Sequence, residues 1–266
     1  LTLFFTPKMH SVNLFALALA ATASAVPFKG LNSTKWTPEH ILKTDEVILY
    51  GEGRMEVVHK SVYHELIQSQ SISEDIPVAP EKFPVTTPAV GSPRSDNSSL
   101  DERDECGLTT AVITDRSQTF VDWDVQMSPV IIGTGKGITV SVTSGFSVAN
   151  SIGVSASGDW AAVKDKLGLS FGIDYTRTWT SSALINIGAT VEDGFSGVMI
   201  TKPIKTRKYG RVLKGCLGSQ KESGTFTADS YEEKEYAGIK WVSGAITLCA
   251  KKEFPLSRCT GSGNFV

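Results

Sequence analysis

Carboxylates set beside aromatic rings are the residues of this chain whose types best suit chemistry. Asp122 and Asp124 bracket Trp123, and Asp174 precedes Tyr175. Two carboxyl groups that meet in space can hydrolyse a glycosidic bond, aromatic rings stack on sugars, and apolar surroundings raise a carboxyl toward general-acid duty. The competing reading makes each an outward-facing strand residue, with Arg177 as a partner. Arg177 itself falls on an otherwise apolar alternation, between Tyr175 and Trp179. A guanidinium there needs a carboxylate, a ring to stack on, or the margin of a sheet. Trp123, Asp174, Tyr175, Arg177 and Trp179 are therefore the candidate binding residues.

Other chemistries find no support. From Cys106 onward there is no histidine, which removes Ser-His-Asp and Cys-His arrangements from that region, and no G-x-S-x-G elbow occurs. Gly133-Thr134-Gly135-Lys136-Gly137 lacks the spacing of a phosphate loop and reads as a hairpin connection. We therefore expect no catalytic residue, no metal site and no cofactor. The sum of 26 basic and 28 acidic residues is a net charge of −2, which supplies no global field for nucleic acid. Lys202, Lys205, Arg207, Lys208, Arg211 and Lys214 form a local basic run. It could meet an anionic lipid or glycan, or guard an edge strand from other chains, with Glu232, Glu233 and Glu235 as neutralising partners.

The elements that must position these residues are strands. From Ile138 to Ala156 apolar side chains alternate with Ser and Thr, and Gly145 and Gly153 are interspersed. Strand side chains alternate faces, so this is one very long strand or two collinear strands bent at the glycines. Asp159 to Gly168 interrupts as a helical turn or loop, and the alternation resumes from Leu169 to Val191. An extended antiparallel pair is predicted, each arm roughly 60 to 70 Å if unbent, so bulges or breaks are expected. Further strands are predicted at Ala111 to Ile113, Thr119 to Val125, Ser196 to Thr201, Tyr209 to Leu213, Gly224 to Ala228 and Ile239 to Cys249. The fold class is mainly β, an antiparallel β-sandwich with long strands spanning 106–266. A small N-terminal α/β module at 26–70 and a disordered Pro/Ser-rich linker at 71–105 precede it.

The residues after Met9 form a short apolar run ending at Ala23-Ser24-Ala25 and read as a secretory signal peptide, 1–25, with 1–8 an upstream extension. No later run of about 20 apolar residues could span a membrane as a helix. Cys106, Cys216, Cys249 and Cys259 have no C-x-x-C unit, and every histidine precedes them, so two disulfides in any of three connectivities are expected. Asn32 and Asn97 begin glycosylation sequons in loop-like stretches.

The stretches Thr119–Ser128, Val142–Ser151 and Gly172–Thr180, with Asp45–Arg54 and the final Cys249-to-Cys259 segment, resemble a group of secreted effector-like proteins of filamentous fungi, many of them plant pathogens. The resemblance implies export and a role at a host interface, and no catalytic residues. On pattern alone, Ile138 to Ala156 and Leu169 to Val191 also resemble the Ser/Thr-rich membrane hairpins of aerolysin-type β-pore-forming proteins. The expected function is that of a secreted, non-catalytic protein binding an extracellular surface, glycan or host protein. Membrane perturbation and a glycan-active enzyme are the alternatives, and membrane contact is the partner class they add.

Overall fold

The computed structural model describes residues 31–51, 53–78, 107–155, 160–183 and 186–266, the side chains of 160 and 162 apart. In chain order the elements are β1 (Ser33–Lys35), β2 (Ile41–Leu42), β3 (Glu46–Gly51), β4 (Arg54–His59), α1 (Lys60–Ser69), β5 (Thr109–Val121), β6 (Val125–Gln126), β7 (Ile131–Ile132) and β8 (Ile138–Ser141). There follow β9 (Ser147–Ala149), β10 (Ser151–Val154), α2 (Trp160–Phe171), β11 (Thr178–Thr180), β12 (Gly188–Val191), β13 (Ser196–Gly215), β14 (Lys221–Tyr231), β15 (Glu233–Tyr236), β16 (Ile239–Val242) and β17 (Gly244–Lys251). The protein is mainly β, and its strand pairs are antiparallel except for β2 with β12 and the Ser73–Phe120 bridge.

The 20-residue β13 is the spine. Its first part, Ser196–Pro203, pairs with β17 and is flanked by β6 and β7. Its second part pairs with β14 and β5. Pro203, which has no N–H to give, stands where β17 hands over to β14, the place in a central strand that tolerates it. Opposite it, a Cβ on Gly244 would lie 2.2 Å from the Lys202 carbonyl oxygen, so only glycine fits this approach. The segments predicted separately at Ser196 to Thr201 and Tyr209 to Leu213 are thus two parts of one strand.

The residues predicted to be a separate N-terminal module are instead part of the same sheet. β3 pairs with β17 through Leu49–Ala245 and Ile48–Ile246, and β4 and β1 follow outward. The α1 helix lays Tyr63, Leu66 and Ile67 on Val47, Leu49, Val58, Val121 and Ile204. The predicted linker also begins later than residue 71. Ile72 is buried in the same cluster, and Ser73 bridges Phe120. Residues 79–105 of that linker and the signal-peptide segment lie outside the described residues.

The two alternating segments do pair, although not as uninterrupted strands. Ile138 faces Val191 and Ser141 faces Gly188; then, after a slip of register, Ser147 faces Thr180 and Ala149 faces Thr178. The pairing closes with the Asn150 N–H donating to the Arg177 carbonyl at 3.0 Å. The apolar side of this hairpin, with Val140, Val142, Val148, Trp179, Ile187 and Val191, packs on Ile48, Met199, Ile246 and Leu248 of the main sheet. This makes the two layers of the sandwich. Beyond Asn150 the arms part. β10 pairs with β14, and the strand predicted from Leu169 is absent, because Leu169–Phe171 finishes α2 and Gly172–Arg177 turns. Val163 and Leu167, four residues apart on one helix face, bury themselves on Val212, Phe226 and Ala228. Each such burial contributes roughly 1.5–3 kcal/mol.

Candidate functional site

Trp179, on the core side of β11, is buried and donates its indole N–H to Glu233 Oε2 at 2.9 Å. Glu233 opens β15, and the same carboxylate ion-pairs with Arg177 and, at 3.1 Å, with Lys240 from β16. The Arg177 guanidinium also lies 5.7 Å from the Trp179 ring centroid. Arg177 thus takes two of the roles its sequence position required, a carboxylate partner and an aromatic ring. Burial pushes the Glu233 carboxyl up, but the hydrogen bonds from Trp179, Lys240 and Arg177 outweigh it and hold the group below its ordinary value.

Beside this cluster stands a second, more enclosed one. Tyr231, edge-on to Trp179 with centroids 6.3 Å apart, donates its hydroxyl to Asp122 at 2.7 Å. Lys205 reaches Asp122 at 2.5 Å and Asp229 at 3.3 Å, and Arg207 holds Asp229 through two bonds of 2.6 and 2.7 Å. The side chains of Lys205, Asp122 and Asp229 are only 11%, 14% and 9% exposed. Farther along β13, Arg211 grips Asp115. Half of the basic run is therefore internally paired, and none of it guards an edge strand. β13 is central, and Lys205, Arg207 and Arg211 are held by internal carboxylates. Those partners are Asp115, Asp122 and Asp229 rather than the Glu232–Glu235 group named from sequence.

Asp122, Asp124 and Asp174, the carboxylates proposed for hydrolysis, sit in three different settings. Asp174 sits on an exposed turn and accepts from the side chain and backbone N–H of Thr176, bonds that hold its carboxyl low. Asp122 is neutralised by Lys205 inside the sheet. Asp174, held low, lacks the raised pKa a general acid needs; Asp122, its side chain 14% exposed and paired with Lys205, and Asp124, raised by burial but 1% exposed, lack open access to a leaving group. Tyr175 is buried beside α2, with no hydrogen-bond partner for its hydroxyl among the described residues. Trp123, 44% exposed, covers Gly261, where a Cβ would meet the indole at 2.6 Å. Of the candidate binding residues, then, Trp123, Asp174 and Arg177 reach solvent, whereas Tyr175 and Trp179 belong to the core.

Sequence reasoning missed Lys205, Asp229 and Tyr231 as one site. The signal was available in the two-residue spacing of Asp229 and Tyr231 on β14, which puts both on one face opposite Lys205 and Arg207. Asn150 was missed as well. Its amide donates to the Asp174 carbonyl and accepts from the Tyr231 N–H, each at 2.8 Å, and so joins the end of the hairpin to β14.

Cys249 and Cys259 form a disulfide with Cα atoms 5.9 Å apart, and Cys216 is also disulfide-bonded. Cys106 and Asn97 lie outside the described residues, and Asn32 is exposed just before β1. Among the described residues no helix is long and apolar enough to cross a membrane. Comparison with protein-family models, with curated proteins and with solved structures gives no match for this chain.

Proposed function

We propose that this is an exported, non-catalytic protein that acts by engaging a surface or partner outside the cell. The observation that carries this reading is the internal neutralisation of the polar cluster. Its cations and carboxylates satisfy one another within the sheet, which makes a rigid scaffold and leaves Trp123, Asp174 and Arg177 at its surface for contact. Disulfide bonding fits an oxidising compartment. Amino-terminal sequencing of secreted material should find a start near Val26, and Trp123→Ala should reduce adsorption to extracellular polysaccharide or membrane fractions. Hydrolysis of a polysaccharide that is lost in folded Asp122→Asn would instead establish the enzyme reading.

A second reading, membrane perturbation, is favoured by one specific feature. If the pairing that closes at Asn150–Arg177 ran on in the same register, Ile152 would face Tyr175 and Val154 would face Ile173, with Ser151, Ser155, Asp174 and Thr176 on the opposite side. All four apolar residues already share one cluster. Each arm of 151–176 is about a dozen residues long against the roughly 9 to 11 that a membrane strand needs. Arg177, unwelcome in lipid, would then stay at the root. A cystine between Gly153→Cys and Thr227→Cys, which face each other across β10 and β14, would pin this segment to the ribbon. Dye leakage from lipid vesicles should occur with the native chain and vanish in the oxidised double variant. Leakage that persists in the pinned form, or none from the native chain, rejects this reading.

A further inference from the structure

Asp124 is an anomaly that the scaffold role does not explain. It is 1% exposed, and its Oδ1 has no hydrogen-bond partner among the described residues. Oδ2 accepts the Thr260 N–H at 2.6 Å, while the Asp124 carbonyl accepts from Arg258. Capping the C-terminal segment through the Thr260 and Cys259 N–H groups still leaves Oδ1, buried, without a well-formed hydrogen bond, which costs free energy unless it is used. What the carboxylate faces is the disulfide. One of its oxygens lies within 4.8 Å of both Cys249 and Cys259 sulfurs. The two sulfurs are unequal. Cys249 is wholly buried among Val198, Ile200, Leu256 and Phe265, whereas Cys259 is exposed.

We propose that Asp124 and the Cys249–Cys259 bond form a thiol–disulfide exchange site, in which a thiolate attacks the exposed Cys259 sulfur and Asp124 protonates the departing Cys249 sulfur. The step balances. A bond forms between the incoming sulfur and Cys259, the Cys249–Cys259 bond breaks, and its electron pair leaves on Cys249. The proton from the Asp124 carboxyl neutralises that sulfur and leaves a carboxylate, and the attacking thiol is the reductant. A thiolate expelled into an apolar cluster is a poor leaving group, so a proton donor at that sulfur is what the buried side of the bond requires. Burial, the largest influence on Asp124, raises its carboxyl above the ordinary value, against the Thr260 and Cys259 N–H groups and the Lys202 and Arg258 charges. The titratable and charged groups facing it are Lys202 from β13, Arg258 from the C-terminal segment, the Tyr63 phenol from α1 and the two sulfurs.

The test uses the full chain with reduced glutathione between pH 5 and 9, quenched with acid and mapped by mass spectrometry. The disulfide at Cys216, which has no part in this cluster, serves as an internal control for thiolate concentration. Glutathione should appear on Cys259 and not on Cys249. Relative to the control bond, Asp124→Asn should slow the cleavage at least about tenfold at pH 5, a conservative loss for a positioned general acid. At pH 9, where Asp124 is ionised and repels the departing thiolate, the same substitution should accelerate cleavage. Wild-type protein supplies a second readout should the variant misfold: its cleavage relative to the control bond should fall as pH rises. A wild-type ratio flat across pH, a variant effect of one sign at every pH, or glutathione on Cys249 overturns the proposal.

Discussion

Removing the Glu233 carboxylate separates what its partners contribute. Glu233→Ala leaves the buried Trp179 N–H without an acceptor, a loss of about 1–3 kcal/mol. It also removes the pair with half-exposed Arg177, about 0.2–1 kcal/mol, while Lys240, 52% exposed, adds almost nothing. The expected destabilisation is about 2–3 kcal/mol. Glu233→Gln keeps an acceptor for the indole and should cost only about 1 kcal/mol. The difference between the two variants isolates the Trp179 bond, and a double-mutant cycle with Trp179→Phe should recover it as coupling. Urea unfolding monitored by tryptophan fluorescence measures all of these. The pH dependence has a definite sign. A carboxyl held low in the folded state stabilises fully above its unfolded value of about 4.3, and the stabilisation is lost as pH falls through the lower, folded value. Alanine and glutamine variants of equal stability, or a wild-type advantage unchanged down to pH 2, would refute this account of how the hairpin is held.

Two further outcomes follow from the enclosed network and from α2. Lys205→Ala should destabilise by about 3–5 kcal/mol, because Asp122 and Asp229 lose a shared cation inside the sheet, whereas Lys221→Ala on the exposed start of β14 should stay within about 0.5 kcal/mol in the same urea titration. Leu167→Ala should cost about 2–5 kcal/mol and speed amide hydrogen exchange across α2 first, a loss that exchange mass spectrometry would locate.

The sequence reading succeeded where a single period ran without charge. Val140, Val142, Val148, Trp179, Ile187 and Val191 were assigned to one face and do share it, because strand geometry leaves no other arrangement. It failed where long-range partners decide. Leu169 and Phe171 alternate like strand residues, yet the helix-forming run from Ala161 to Leu167 and the burial of Val163 and Leu167 carry them into α2. The 20-residue β13 was legible only as two shorter strands, because nothing in sequence tells that the missing N–H of Pro203 coincides with a change of partner. The cations of β13 looked available because the acids that neutralise them come from strands eighty or more residues before and about twenty after, as the Asp122 and Asp229 contacts of Lys205 show. The same limit hid the orphan oxygen of Asp124, whose neighbours Cys249 and Cys259 lie far along the chain.

The handover at Pro203 also bears on how the molecule responds to tension. Because β13 is a ladder partner of both β17 and β14, force applied to either end is shared by every rung along it rather than falling on a joint between sheets. Stretching in an optical trap should therefore give one abrupt rupture, with no intermediate plateau for half a molecule. Expressing the regions before and after residue 203 as separate polypeptides should yield two chains that need each other to fold.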